Sequence, residues 1–141
     1  MTLGIPRGGV IVGDRVAKNL SSAFDIIIPR KLRAPYNEEV VVGAVMEDGY
    51  IYLNPEVVRE LSISQDYIEK EKSIQMNEIR PRAAIYRNRA DTIAARIRDK
   101  NIIVLIDDGV AGATVIVAAR WIKTINPYRL IIGDQLYQEI A

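Results

Sequence analysis

The chain has 141 residues, 49% of them apolar and 26% charged, and it contains neither cysteine nor histidine. That is one domain's worth of chain, able to bury a core without disulfides, and the two missing residue types exclude a tetrahedral zinc site of the usual kind, a Cys–His pair and a Ser–His–Asp triad. With 19 basic against 18 acidic side chains the net charge is +1, without the basic excess of a duplex-DNA binder, so no specific nucleic-acid partner is expected.

In chain order, Met1–Ile5 reads as a short apolar strand ending in Pro6-Arg7-Gly8-Gly9. Val12, Val16, Ala17 and Leu20 then fall on one helix face. Phe24–Ile28, almost wholly apolar and followed by Pro29, predicts a buried strand. Arg30–Glu39 reads as a polar loop, and Val40–Met46 and Tyr50–Leu53 as strands joined through the Asp48-Gly49 turn pair. Ser64–Lys100 reads as a long helical region that Pro81 should break or kink. Its second half carries an apolar stripe at Tyr86, Ala90, Ile93, Ala94 and Ile97. Asn101–Ile106 predicts a second buried strand, followed by Asp107-Asp108-Gly109, a helix from about Ala113 to Lys123, and a last strand over Tyr128–Ile132.

Strands alternating with helices imply a single α/β domain over 1–141, mostly a parallel twisted sheet flanked by helices, with an antiparallel hairpin. The longest uncharged run, Gly109–Ala119, is short of the ~20 apolar residues of a membrane span. No signal-peptide pattern opens the chain, so a cytoplasmic protein without a membrane partner is expected.

Ligands of open parallel sheets gather where strands run into helix N-termini. Two such loops here are glycine-rich: Gly4-Ile5-Pro6-Arg7-Gly8-Gly9 and Asp107-Asp108-Gly109-Val110-Ala111-Gly112-Ala113-Thr114. Glycines let backbone amides approach an anion, and the helix dipole favours it there. Arg7 would add a guanidinium suited to phosphate. The alternative for the first loop is a tight strand-to-helix turn with no ligand. In the second, two adjacent aspartates at the end of a buried strand are costly without a partner. Carboxylates that accept from ribose hydroxyls, with amides behind them for a phosphate, suit a phosphorylated sugar; a capping Asp beside a solvated one is the other reading.

Ile103-Val104-Leu105-Ile106-Asp107-Asp108-Gly109-Val110-Ala111-Gly112-Ala113-Thr114 resembles the phosphoribosylpyrophosphate (PRPP) signature of type I phosphoribosyltransferases. Leu3–Gly9 is similar to that family's pyrophosphate loop in a bacterial and archaeal subgroup. Pro29–Glu39 leading into Gly43-Ala44-Val45 looks like the subgroup's next landmark. The resemblance implies that Asp107 and Asp108 are the catalytic pair holding the ribose hydroxyls. Gly109, Val110, Ala111, Gly112, Ala113 and Thr114 would wrap the 5′-phosphate, and Arg7, Gly8, Gly9 and Lys31 would meet the pyrophosphate. It further implies substrate-borne Mg²⁺, a nucleobase or other nitrogen acceptor, release of pyrophosphate, and a homodimer. Such chemistry needs no thiol or imidazole. No separate protein metal site is expected, because Mg²⁺ binds largely through substrate phosphates and water.

The chain departs from the family pattern in lacking a threonine between Ala111 and Gly112. It also starts close to the pyrophosphate loop and stops soon after Ile132, so the base-recognising hood is expected to be absent or supplied by a partner. A non-catalytic PRPP- or nucleotide-binding regulatory module on the same fold is therefore the alternative function. Elsewhere, the arginines and lysines of Ser64–Arg98 read as a solvated helix face and Trp121 as a packing residue. Tyr36, Glu38 and Glu39 are loop residues that could reach a ligand but more simply do not.

Overall fold

The computed structural model describes residues 1–6, 8–86, 93–106 and 112–134. In chain order the elements are β1 (Thr2–Gly4), α1 (Gly8–Asn19), β2 (Phe24–Ile26), β3 (Arg30–Ala34), β4 (Asn37–Val45), β5 (Ile51–Leu53), α2 (Pro55–Glu60), α3 (Gln65–Tyr86), α4 (Ile93–Ile97), β6 (Asn101–Ile106), α5 (Ala113–Thr124) and β7 (Arg129–Asp134).

The apolar strands β1 and β6 form the centre of a four-stranded sheet of order β2-β1-β6-β7, and every pairing in it is parallel. Strands buried on both faces read as continuous aliphatic runs, and Leu3, Ile102 and Val104 are accordingly buried. The remaining strands make a separate antiparallel sheet, β3-β4-β5. Helix α5 packs against this second sheet as well as against β7. Its Val117, Trp121 and Ile122 join Leu3, Ile27, Ala44 and Met46 in one core. Trp121 is thus a packing residue, and its indole N–H also donates to Asp48 Oδ2 at 2.8 Å, tying α5 to the β4–β5 turn. Helix α3 closes a second apolar cluster, in which Met76 and Ile79 meet Ile26, Ile28, Leu32 and Val45.

The α/β architecture is the expected one, with three differences in detail. Arg30–Ala34 is a strand rather than part of a loop: Leu32 and Ala34 turn inward while Lys31 and Arg33 face out. Charged outer residues gave this segment a loop's composition, although its alternation is that of a half-buried strand. Pro81 does not break the helix, because α3 runs through it to Tyr86. Proline removes the bond to the carbonyl four residues back, and Asn77, which carries that carbonyl, is exposed where water can satisfy it. Helix α2 was not anticipated; Asn54 caps it by accepting from the Glu56 amide at 3.1 Å, and Pro55 occupies its first position. Of the apolar stripe read along the long helix, Ile93 and Ile97 are buried on α4, Tyr86 is exposed and Ala90 lies outside the described residues. The Asp48-Gly49 pair does form the β4–β5 turn, with Gly49 at φ +94° and its amide bonded to the Met46 carbonyl.

Candidate functional site

The order β2-β1-β6-β7 reverses direction between its two central strands. From β1 the chain crosses through α1 outward to β2, and from β6 it crosses through α5 outward to β7. Where neighbouring parallel strands send their helices to opposite sides, a crevice opens beyond their carboxyl ends. Gly4 lies opposite Leu105 in register, and the Ile5 amide donates to the Leu105 carbonyl at 3.1 Å. The two glycine-rich segments therefore leave the sheet from adjacent strands at one edge.

Backbone packing fixes the first of these segments. A Cβ on Gly9 would stand 2.4 Å from the Leu105 carbonyl oxygen, and one on Gly4 would stand 2.7 Å from the Gly9 carbonyl oxygen. Distances this short against main-chain atoms cannot be relieved by a side-chain rotation. Gly4 and Gly9 thus let the start of α1 sit directly on the ends of β1 and β6. Gly8, the first residue of α1, is half-buried beside them.

The second segment ends at Gly112, the N-cap of α5, whose carbonyl accepts from the Val115 and Ile116 amides at 3.1 and 3.2 Å. No side chain of the described residues caps this helix start, so the amides at Ala113 and Thr114 are those that a helix offers to an anion. Unlike Gly9, Gly112 is not required by packing against any of the described residues. Its φ is −89° and a Cβ there would meet nothing nearer than Thr114 Oγ1 at 3.8 Å.

Lys31, exposed on β3, lines a cavity of about 290 Å³ together with Gly43, Tyr52, Gly112, Ala113 and Ile116. A cation from the antiparallel sheet therefore shares a hollow with the positive end of α5. Gly43 makes room for this arrangement, since a Cβ on it would lie 1.9 Å from the Tyr52 carbonyl oxygen. The Arg120 guanidinium stacks over the Tyr52 ring at 4.7 Å and braces that wall against α5. Sequence reading missed Gly43 in this role, and also Tyr52 and Arg120. A lone glycine inside a Val/Ala strand was the one available signal of a close approach.

Of the residues singled out from sequence, Gly8, Gly9, Lys31, Gly112, Ala113 and Thr114 are described. Arg7, Asp107, Asp108, Gly109, Val110 and Ala111 lie outside the described residues; their described chain neighbours, Pro6, Gly8, Ile106 and Gly112, flank the same crevice. Tyr36 is fully exposed at the β3–β4 turn with φ +70°, and Glu38 and Glu39 are exposed at the start of β4. Among the described residues no three acidic side chains gather as a metal cage, and no helix is long and apolar enough to cross a membrane.

No family model matches the chain. Over 115 residues, 81% of its length, it is 39% identical to proteins from two Mycobacterium tuberculosis strains, each described as "Putative phosphoribosyl transferase". The chain spans 25% of the length of those relatives. Among solved structures it is similar to TT1426 from Thermus thermophilus, with a TM-score of 0.62 and 29% identity, over 94% of this chain and 62% of that one.

Proposed function

We propose that the chain, 39% identical over 115 residues to proteins described as phosphoribosyl transferases, shares their family over that span, binds PRPP in the crevice between β1 and β6 and transfers the 5-phosphoribosyl group to a nitrogen acceptor. One observation carries the reading: Lys31, from a different sheet, lines the same cavity as Gly112 and Ala113 at the start of α5. The 5′-phosphate would sit on the amides of Gly112 to Thr114. A bare glycine that packing against the described residues does not demand suits close approach by a ligand. Arg7, with Gly8 and Gly9, would meet the pyrophosphate from the β1 side and Lys31 from the β3 side. Asp107 and Asp108 would accept from the ribose hydroxyls.

In this reaction the lone pair of the acceptor nitrogen forms a bond to the anomeric carbon. The bond from that carbon to pyrophosphate breaks, and its electron pair leaves on the pyrophosphate oxygen. The chain's contribution is to hold the sugar still and to offer fixed donors to the departing charge, so neither nucleophile nor imidazole is required. Mg²⁺ would enter on the substrate, with Asp107 and Asp108 as the protein carboxylates offered to it and water filling its shell; when bound it supplies charge neutralisation on the pyrophosphate. A homodimer belongs to the same proposal.

A second reading rests on the threonine absent between Ala111 and Gly112. That loss removes a hydroxyl from the phosphate cradle and favours a module that binds PRPP without turning it over. Pyrophosphate release, followed with PRPP, Mg²⁺ and a panel of purine, pyrimidine and carboxylated heterocyclic acceptors, separates the two. Acceptor-dependent release supports transfer, whereas PRPP binding without release across the panel contradicts it in favour of the regulatory module.

A further inference from the structure

A second cavity, of about 400 Å³, opens on the other side of the β1 loop, lined by Pro6, Ile28, Pro29, Arg30, Arg82 and Tyr86. It shares Pro6 with the candidate PRPP crevice but none of the residues of the Lys31 cavity. Ile28 and Pro29 are buried and give it an apolar floor. Arg30 and Arg82 bring two guanidinium groups, and no carboxylate lines it among the described residues. Arg30 donates from Nε to Gln75 Oε1 at 3.0 Å, and Gln75 in turn donates to Glu71 Oε1 at 2.7 Å. That chain of bonds holds the Arg30 side chain in place through one edge of its fork. Arg82 faces Glu78 at 3.7 Å, with both side chains about half exposed, a pairing too loose to neutralise it.

We propose that this cavity takes the acceptor, and that the acceptor is a planar aromatic or heteroaromatic ring bearing a carboxylate. The inference rests on the proposed transferase reading. An inorganic anion would use the guanidinium groups but not the apolar floor or the tyrosine ring; an uncharged base would use the floor and ring but leave two guanidinium groups unmatched. A planar carboxylate uses all of them, with its carboxyl on Arg30 and Arg82 and its ring against Tyr86, Ile28 and Pro29. The cavity borders the β1 loop at Pro6, next to the residues proposed to meet the pyrophosphate.

Titration calorimetry on the full chain with benzoate and nicotinate tests this, with benzamide and inorganic pyrophosphate as controls. Saturable binding of the carboxylates is expected, with benzamide about tenfold weaker. Arg82→Gln and Tyr86→Ala should each weaken benzoate about tenfold. Arg82 and Tyr86 are exposed on α3, so both variants should fold; their unfolding midpoints verify this. Pyrophosphate displacing benzoate, equal affinity for benzamide, or benzoate binding unchanged in Arg82→Gln would each overturn the proposal. Stabilisation by PRPP with Mg²⁺, measured on the same samples, keeps the two readings apart. A retained PRPP response without carboxylate binding overturns this inference alone, and a lost PRPP response overturns the transferase reading.

Discussion

Two glycines of the candidate site do different work. At Gly9 the main chain of α1 lies against the Leu105 carbonyl, 2.4 Å from where a Cβ would stand. Gly9→Ala therefore forces α1 off the sheet and should cost about 1–3 kcal/mol in urea denaturation. At Gly112 none of the described residues crowds the corresponding space. Gly112→Ala should cost no more than about 1 kcal/mol, the loss expected when alanine replaces a favourable N-cap, yet weaken PRPP binding at least about tenfold by standing between the ligand and the amides. Equal losses of stability in the two variants would contradict this division. The sequence showed both glycines but not the difference between them, because that depends on what the fold brings opposite each.

Between elements, single polar contacts fix how helices meet strands. Arg96 on α4 pairs with Asp25 on β2 through Nη1 and Oδ2 at 2.5 Å, with both side chains mostly buried. Arg96, read from sequence as one of many solvated cations, is thus a tie between α4 and the parallel sheet. Arg96→Gln leaves the Asp25 carboxylate without that guanidinium, and a loss of about 1–3 kcal/mol is expected. Tyr67 on α3 donates its hydroxyl to the Arg33 carbonyl on β3. Burial, reinforced by Glu71, raises its pKa above the usual 10.0. The folded chain then keeps a proton that the unfolded chain releases. Its stabilising contribution is complete below the unfolded value and is lost as pH rises through the folded one. Denaturation midpoints taken from about pH 9 to 11 should fall in the native chain and fall less in Tyr67→Phe. The strand that carries Arg33 was the element least visible in sequence. Only Leu32 and Ala34 mark its inner face, too few to outweigh Lys31 and Arg33 on the outer one and Arg30 at its start.

For the molecule as a whole, the apolar runs Phe24–Ile28 and Asn101–Ile106 were enough to predict buried parallel strands, and both lie in the parallel sheet or its continuation into the core. Their order was not legible, nor was the meeting of Lys31 with α5, which depends on the antiparallel sheet folding over that helix. The absence of cysteine and histidine was informative in sequence because it confined any chemistry to carboxylates, cations and amides. The fold brings the described members of that set, Lys31 and the Gly112–Thr114 amides, to the carboxyl end of the parallel sheet beside the ends of β1 and β6. The central claim is that this edge binds PRPP through Asp107, Asp108 and the start of α5. Thermal unfolding of the chain with and without PRPP and Mg²⁺ tests it most directly. At about 100 times its dissociation constant the ligand should add roughly 2.7 kcal/mol of stability, and the double variant Asp107→Asn with Asp108→Asn should lose most of that gain. No stabilisation of the native chain, or an equal stabilisation of the double variant, would contradict the account.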